Sequence, residues 1–277
     1  MDELQLKLLD MFKWFHEFCE KHGLRYYALG GTMLGAVRHH GFIPWDDDID
    51  VGMPRSDYER MQEILADCKG MRYRLESPIT SSDEYFHPFC KLYDTSTTLI
   101  ENLKYELKRG IYLDIFPLDG IGVSKEDSKR NYRTIYWKHN MLLTRVCGIR
   151  QGRSALKNAA IRIMQLIPEK LMNNKKLLFQ LIDDCKKYDF DDCSWVGNLV
   201  GAWRFKEVMP RDVFGEPVLY EFEEMQCYGP QMADEYLTYL YGDWRQLPPK
   251  EKQVTHHDFV VMDLHRSYLE QSEVSLQ

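Results

Sequence analysis

No run of about eighteen apolar residues occurs in this 277-residue chain, so no segment is expected to cross a membrane as a helix. A secretory leader is not expected either, because Asp2, Glu3 and Lys7 interrupt the first residues. The seven cysteines include no Cys-x-x-Cys pair, which argues against a zinc site or a disulfide framework and predicts reduced thiols. Together these features predict a cytoplasmic protein. Positive charge is not in excess: the net charge of -7 speaks against nucleic acid as the main partner. The last third of the chain holds no repeat or low-complexity tract, and no histidine and cysteine arrangement suggests a covalent catalytic route.

What is present is an ordinary globular composition, 44% hydrophobic, with unevenly spread charge. Between Lys125 and Lys176 there are thirteen Lys or Arg against three Asp or Glu, so the rest of the chain is strongly acidic. Four carboxylates, Asp46, Asp47, Asp48 and Asp50, fall within five residues. Like charge packed so densely opposes folding unless cations neutralise it, which points to a hard divalent metal, Mg2+ or Mn2+.

Apolar spacing predicts a helix from Leu4 to Cys19 closed by Gly23, then a short strand from Tyr26 to Leu29. Gly30-Gly31 breaks that strand, and Thr32 is expected to cap a helix reaching about Arg38. Alternation from Ile49 to Met53 predicts a strand, with Asp48 and Asp50 pointing to one side and Asp46 continuing the row. Ser56 and Glu59 have capping-box spacing for the next helix. Further strands are expected at Tyr73–Leu75, Phe89–Tyr93, Thr97–Ile100 and Ile111–Phe116, the last ended by Pro117. It carries Asp114, a lone charge among apolar neighbours that is costly unless paired or metal-bound.

Beyond Gly122 the texture becomes basic and helical. Ala155–Ile167 forms an apolar stripe beside Lys157 and Arg162, suited either to packing on the core or to lying on an anionic membrane.

A glycine turn opening a helix can present backbone N–H groups to a phosphate, and a strand bearing aspartates can hold the cation that polarises it. The order of Gly30-Gly31-Thr32, Asp48-Ile49-Asp50 and Leu113-Asp114-Ile115 resembles the nucleotidyltransferase fold. The thirty residues from Leu29 to Tyr58 resemble the signature of the LicD family, and the resemblance continues through Tyr112–Asp119 to Tyr241-Gly-Asp-Trp244, Pro248-Pro249 and His256-His257. It implies an α+β fold with a mixed sheet flanked by helices. Residues 1–122 would be the catalytic core, and a mainly helical region, 123–277, would complete the donor and acceptor site.

The resemblance also implies phosphocholine transfer from CDP-choline to a lipid-linked or other cell-surface glycan such as teichoic acid or lipopolysaccharide, releasing CMP. Polyol-phosphate transfer, nucleotidyl transfer and an inactive glycan-binding scaffold are the rivals. Asp48, Asp50 and Asp114 match the metal site of the family, Asp114 alternatively taking the proton of the attacking hydroxyl. Gly30, Gly31, Thr32, Arg38 and His39 would meet phosphate, with His40 flanking the same loop and Lys91, Lys108 and Arg109 as further cations or ordinary surface charge. A quaternary ammonium favours aromatic faces, for which Trp45, Tyr112, Trp195, Trp203 and Trp244 are available. His256 and His257 with Asp258 are candidates for a base or a further ligand.

Overall fold

Asp2 opens the first helix, α1 (Glu3–His22): its carboxylate accepts from the Gln5 N–H while the Gln5 side chain accepts from the Asp2 N–H, and Gly23 closes the helix at φ 62°. The computed structural model describes residues 1–66, 70–81, 85–104, 107–149, 154–255 and 259–270, so His256, His257 and Asp258 lie outside the described residues. After α1 come β1 (Tyr27–Ala28), α2 (Gly30–His39), β2 (Asp50–Pro54), α3 (Arg55–Ala66), β3 (Tyr73–Glu76) and β4 (Cys90–Asp94). Then follow β5 (Thr98–Glu101), β6 (Lys108–Arg109), β7 (Tyr112–Gly122), α4 (Lys125–Val146), α5 (Ala155–Leu166) and α6 (Asn174–Cys185). The remainder comprises β8 (Trp195–Asn198), β9 (Val208–Pro210), α7 (Arg211–Phe214), β10 (Val218–Phe222), β11 (Met225–Gly229), α8 (Ala233–Tyr241) and β12 (Phe259–Asp263).

The fold is α+β, as expected. Its main sheet has the order β1-β2-β7-β4-β3, with β8 beside β7 and β9 beside β8. Only β2 and β7 run parallel in it; the other pairs are antiparallel. The division expected at residue 122 coincides with the end of β7, yet β8 and β9 extend the same sheet from beyond it. A hairpin of β10 and β11 and a small sheet of β12, β5 and β6 complete the strands.

Alternation sorts the central strands into two faces. Val51, Met53, Cys90, Leu92, Leu113 and Ile115 share one face and belong to the main core with Leu8, Phe12 and Phe15 of α1 and Tyr58 and Met61 of α3. The opposite face carries charge, and the site is built there.

Four local expectations need correction. The helix α2 begins at Gly30, with Leu29 at its cap position, so Thr32 lies inside it; its hydroxyl instead accepts the Asp50 N–H at 2.9 Å. The second strand starts at Asp50, so Asp48 precedes it and does not share its pleat. Helix α3 begins at Arg55, which puts Ser56 inside the first turn; Arg55 itself makes paired bonds to the buried Asp119 at 2.7 and 2.6 Å. Strand β7 does not end at Pro117. On the side of β4 the pairing stops at Ile115, and β8 takes over only at Leu118, so the residue without an N–H falls between the two partners.

Candidate active site

Asp114 stands at the centre of a row of charge that runs across four strands. Its register partners are Asp50 on β2 and Lys91 on β4, and Lys91 in turn pairs with Glu76 on β3. Partners in register project to the same face, so the row reads Asp50, Asp114, Lys91, Glu76. Lys91 is 2% exposed, its Nζ 2.9 Å from Asp114 Oδ1, 4.0 Å from Glu101 Oε1 and 3.2 Å from the centre of the Tyr112 ring. The expectation of surface charge at Lys91 is therefore overturned. Arg109, the other cation expected there, pairs with Glu76 at 2.8 Å, and Lys108 lies on the short strand β6.

The glycine turn closes against this row. Gly30 adopts φ 49°, its N–H donates to the Tyr236 hydroxyl at 3.0 Å, and a Cβ at this position would sit 3.6 Å from Asp50 Oδ2. At Gly31 a Cβ would lie 2.6 Å from Asp46 Oδ2, closer than real contacts allow. The turn and the acidic loop thus approach each other because Gly31 carries no side chain, while Gly30 contributes the left-handed backbone of the turn. Asp50 is further fixed by its backbone, whose N–H donates to Thr32 and whose carbonyl accepts the Leu29 N–H at 2.9 Å.

Among the described residues, Asp46, Asp47 and Asp48 form the tight carboxylate group, with one oxygen from each lying within 4.8 Å of the others. Asp50 and Asp114, expected to share a trio with Asp48, fall outside this group but feel its charge. Burial, followed by repulsion from Asp48, Asp114 and Asp46, holds the Asp50 carboxyl well above its ordinary pKa. Burial also raises Asp114, against the opposing pull of Lys91, with Glu101 and Asp48 adding to the rise. A cation reverses each of these repulsions, and an all-oxygen donor set suits Mg2+ or Mn2+. The residues present therefore fit a divalent ion.

Two groups of this wall are not foreseen from the sequence. The Tyr241 hydroxyl is pushed upward by burial and then by Asp46 and Asp50. Glu207 is pushed up to about 8 by burial, although it accepts the Trp203 N–H at 2.7 Å. Tyr241 belongs to the Tyr241-Gly-Asp-Trp244 motif, which could have pointed to it; Glu207 has no signal in its neighbourhood. Lys91 does have one, because a lone charge in the apolar run Phe89–Tyr93 is as costly as Asp114 in its own strand.

A match to the LicD/FKTN/FKRP nucleotidyltransferase domain covers residues 23–143, the stretch that holds the turn, the acidic loop and β7. Over 265 residues the chain is 31% identical to the lipopolysaccharide cholinephosphotransferase LicD of Haemophilus influenzae, covering 92% of this chain and 95% of that protein. The chain belongs to the LicD family. Shorter similarities join this LicD-family protein to an uncharacterized protein of Rickettsia typhi, 42% identical over 26% of this chain and 23% of that one. The human ribitol 5-phosphate transferase FKRP is 42% identical over 45 residues, 16% of this chain and 9% of FKRP.

The remaining expected residues of the LicD-family site divide by what already holds them. Arg38 donates to the Trp244 carbonyl at 2.8 Å and to His39 at 3.0 Å, which ties the end of α2 to the C-terminal Tyr-Gly-Asp-Trp segment. His40 caps α2 in the left-handed region, its Nδ1 3.5 Å from Glu221. Trp45 is half-buried with His39 edge-on to it. Tyr112 is not a free platform for a cation, because Lys91 occupies its ring face. Trp244 is buried, bonded to Asp234 and covered by Arg245, while Trp203 is exposed and edge-on to Tyr241. Trp195 is half-buried with Lys125 5.9 Å from its ring centre. A cavity of about 570 Å³ opens at the outer edge of β3, where Glu76, Arg74 and Arg109 line it, but it contains none of the aspartates.

Alanine at Gly31 tests the closeness of turn and loop. Its methyl displaces the Asp46 carboxylate, while helix propensity gains about 1 kcal/mol relative to glycine. Mn2+ affinity, measured by electron paramagnetic resonance, is expected to fall about tenfold or more with little change in melting temperature, following the disturbance of metal-ligating geometry. Unchanged affinity would show that the Asp46 carboxylate plays no part in holding the ion.

Proposed function

We propose that this protein transfers phosphocholine from CDP-choline to a hydroxyl of a cell-surface glycan precursor and releases CMP. The observation that carries this reading is the end-to-end similarity to the Haemophilus influenzae enzyme, combined with the paired register of Asp50 and Asp114 beside the glycine turn. In the proposed reaction the acceptor oxygen bonds to the phosphorus bearing choline. The bond from that phosphorus to the bridging oxygen breaks, and CMP leaves with the electron pair.

Asp48 and Asp50, with Asp46 and Asp47 beside them, would hold Mg2+ or Mn2+, which when bound neutralises and polarises the pyrophosphate oxygens. The start of α2 at Gly30 and Gly31 would face the donor phosphates with the positive end of the helix, the Gly30 N–H itself being held by Tyr236, and Arg38 supplies positive charge at the other end of that helix. Trp45 offers an aromatic face to the choline cation, which has no N–H to donate. Of the three aspartates that the resemblance implies as ligands, Asp114 takes the proton of the acceptor hydroxyl. Its raised pKa suits that exchange near neutrality, and Lys91 fixes its orientation.

The test is purified protein with Mg2+ or Mn2+, CDP-choline, and either lipopolysaccharide oligosaccharide or teichoic acid lacking phosphocholine. CMP release with choline incorporation into the glycan is the expected result. CMP release from CDP-ribitol or CDP-glycerol alone would replace the donor, and pyrophosphate release from CTP would replace the reaction.

A further inference from the structure

Helix α5 faces the wrong way for a helix that serves the core. At 3.6 residues per turn, Leu156, Ala159, Ala160, Ile163 and Leu166 fall on one side of it, and Asn158, Ile161 and Gln165 on the other. The apolar side is the one turned outward: Leu156 is 85% exposed, Ile163 65% and Leu166 80%, and Ile161 is the only residue of the helix that is buried. Leu171, just beyond the helix, is 81% exposed.

The helix is nevertheless firmly seated, and by polar contacts. The Gln165 amide donates to the carbonyls of Cys147 at 2.8 Å and Thr144 at 3.3 Å, at the end of α4. Buried Arg145 donates from Nη1 to the carbonyls of Met164 at 2.8 Å and Ile167 at 3.0 Å, and from Nε to Asn174. These bonds hold the outward direction of the apolar stripe, because turning the helix over would point Gln165 into solvent and break its bonds to the end of α4.

We infer that α5 is a membrane-surface anchor whose occupant is an anionic bilayer. Exposed Lys157 and Arg162 stand at the two borders of the apolar stripe, where a helix lying in the headgroup plane places its cations. They belong to the stretch from Lys125 to Lys176, with thirteen basic residues against three acidic, which complements acidic headgroups. A second copy of the chain is a poorer occupant, since a twofold contact would bring the same basic borders together. With twelve residues α5 spans roughly 18 Å, too short to cross a bilayer core of about 30 Å, and no helix among the described residues is long and apolar enough to do so. The anchor lies on the membrane, where a lipid-linked glycan would be found.

Flotation of the full chain with vesicles tests this without any donor or acceptor, so its outcome is separate from that of the phosphocholine reading. Vesicles of phosphatidylcholine with about one-third phosphatidylglycerol should carry the protein, whereas pure phosphatidylcholine should bind it at least tenfold more weakly. The double variants I163S/L166S and K157E/R162E alter exposed side chains only. Each is expected to lose at least tenfold in binding, with melting temperature and CMP release from soluble substrates within twofold of the parent. Equal binding by parent and variants, or no binding of the parent to the anionic vesicles, overturns the inference. So does a dimer that I163S/L166S dissociates in the absence of vesicle binding.

Discussion

Asparagine at Asp50 is expected to abolish turnover and yet to raise the melting temperature of the metal-free protein. The half-buried Asp50 carboxyl faces the charge of Asp48, Asp114 and Asp46, and loss of solvent and repulsion alike raise its pKa. An acid whose folded pKa exceeds its unfolded value costs stability as pH rises from the unfolded value through the folded one. A tenfold weakening of the acid on folding corresponds to about 1.4 kcal/mol. For a chain of this size that is about 2–4 °C in melting temperature per kcal/mol. The advantage of Asp50→Asn should therefore be small at acidic pH and grow as pH increases. Saturating Mg2+ or Mn2+ should narrow or reverse it, because a cation stabilises the parent carboxylate cluster and gains less from an amide. Turnover should fall by about a thousandfold or more, in line with the loss of a group that holds a charge-neutralising ion. Calorimetry across pH with and without metal reads the first effect and CMP release reads the second. A variant that remains active, or a metal-free variant less stable than the parent at every pH, removes Asp50 from the proposed site.

Methionine at Lys91 should act in the opposite direction on stability. The ammonium is enclosed by Asp114 at 2.9 Å, Glu101 at 4.0 Å and the ring of Tyr112. Removing one partner of a buried ion pair leaves the other charge uncompensated, which costs about 3–5 kcal/mol. Turnover should fall as well, since Asp114 loses the contact that orients it, while the KM for the donor changes little. Combining Lys91→Met with Asp114→Asn should recover much of the lost stability, because neither charge is then orphaned, but none of the turnover. Lys91→Arg, which keeps the charge but not the compact shape, should fall between. If the single variant melts with the parent and turns over normally, the ion pair is incidental to the site.

Much of the site is legible in the chain because its elements are local. The glycine turn needs only adjacent residues in a conformation that glycine tolerates, and the acidic loop needs only its own sequence. Asp114 is legible as a charge in a strand otherwise apolar. The same reasoning applied to Phe89–Tyr93 would place Lys91 inside, but a lysine with a long stem is more often solvated than buried, which favours the surface as the expectation. Thr32 misleads for a related reason. A threonine after two glycines has the composition of a cap, and only the neighbouring strand shows that its hydroxyl serves Asp50. Pro117 suggests a strand end because a missing N–H breaks a ladder. It does so only where a partner stands opposite, and β4 has already stopped at Ile115.

Fold class, turn, carboxylates and, through similarity to known transferases, family all follow from the amino-acid order. These depend on residue type and short spacing, which the chain carries along its length. That Asp50, Asp114, Lys91 and Glu76 fall in one row follows only from the folded sheet, because register between strands is set by the packing of the whole. The outward direction of the α5 stripe has the same origin. Periodicity defines a stripe on a helix, but the Arg145 and Gln165 contacts at the end of α4 determine which way it faces.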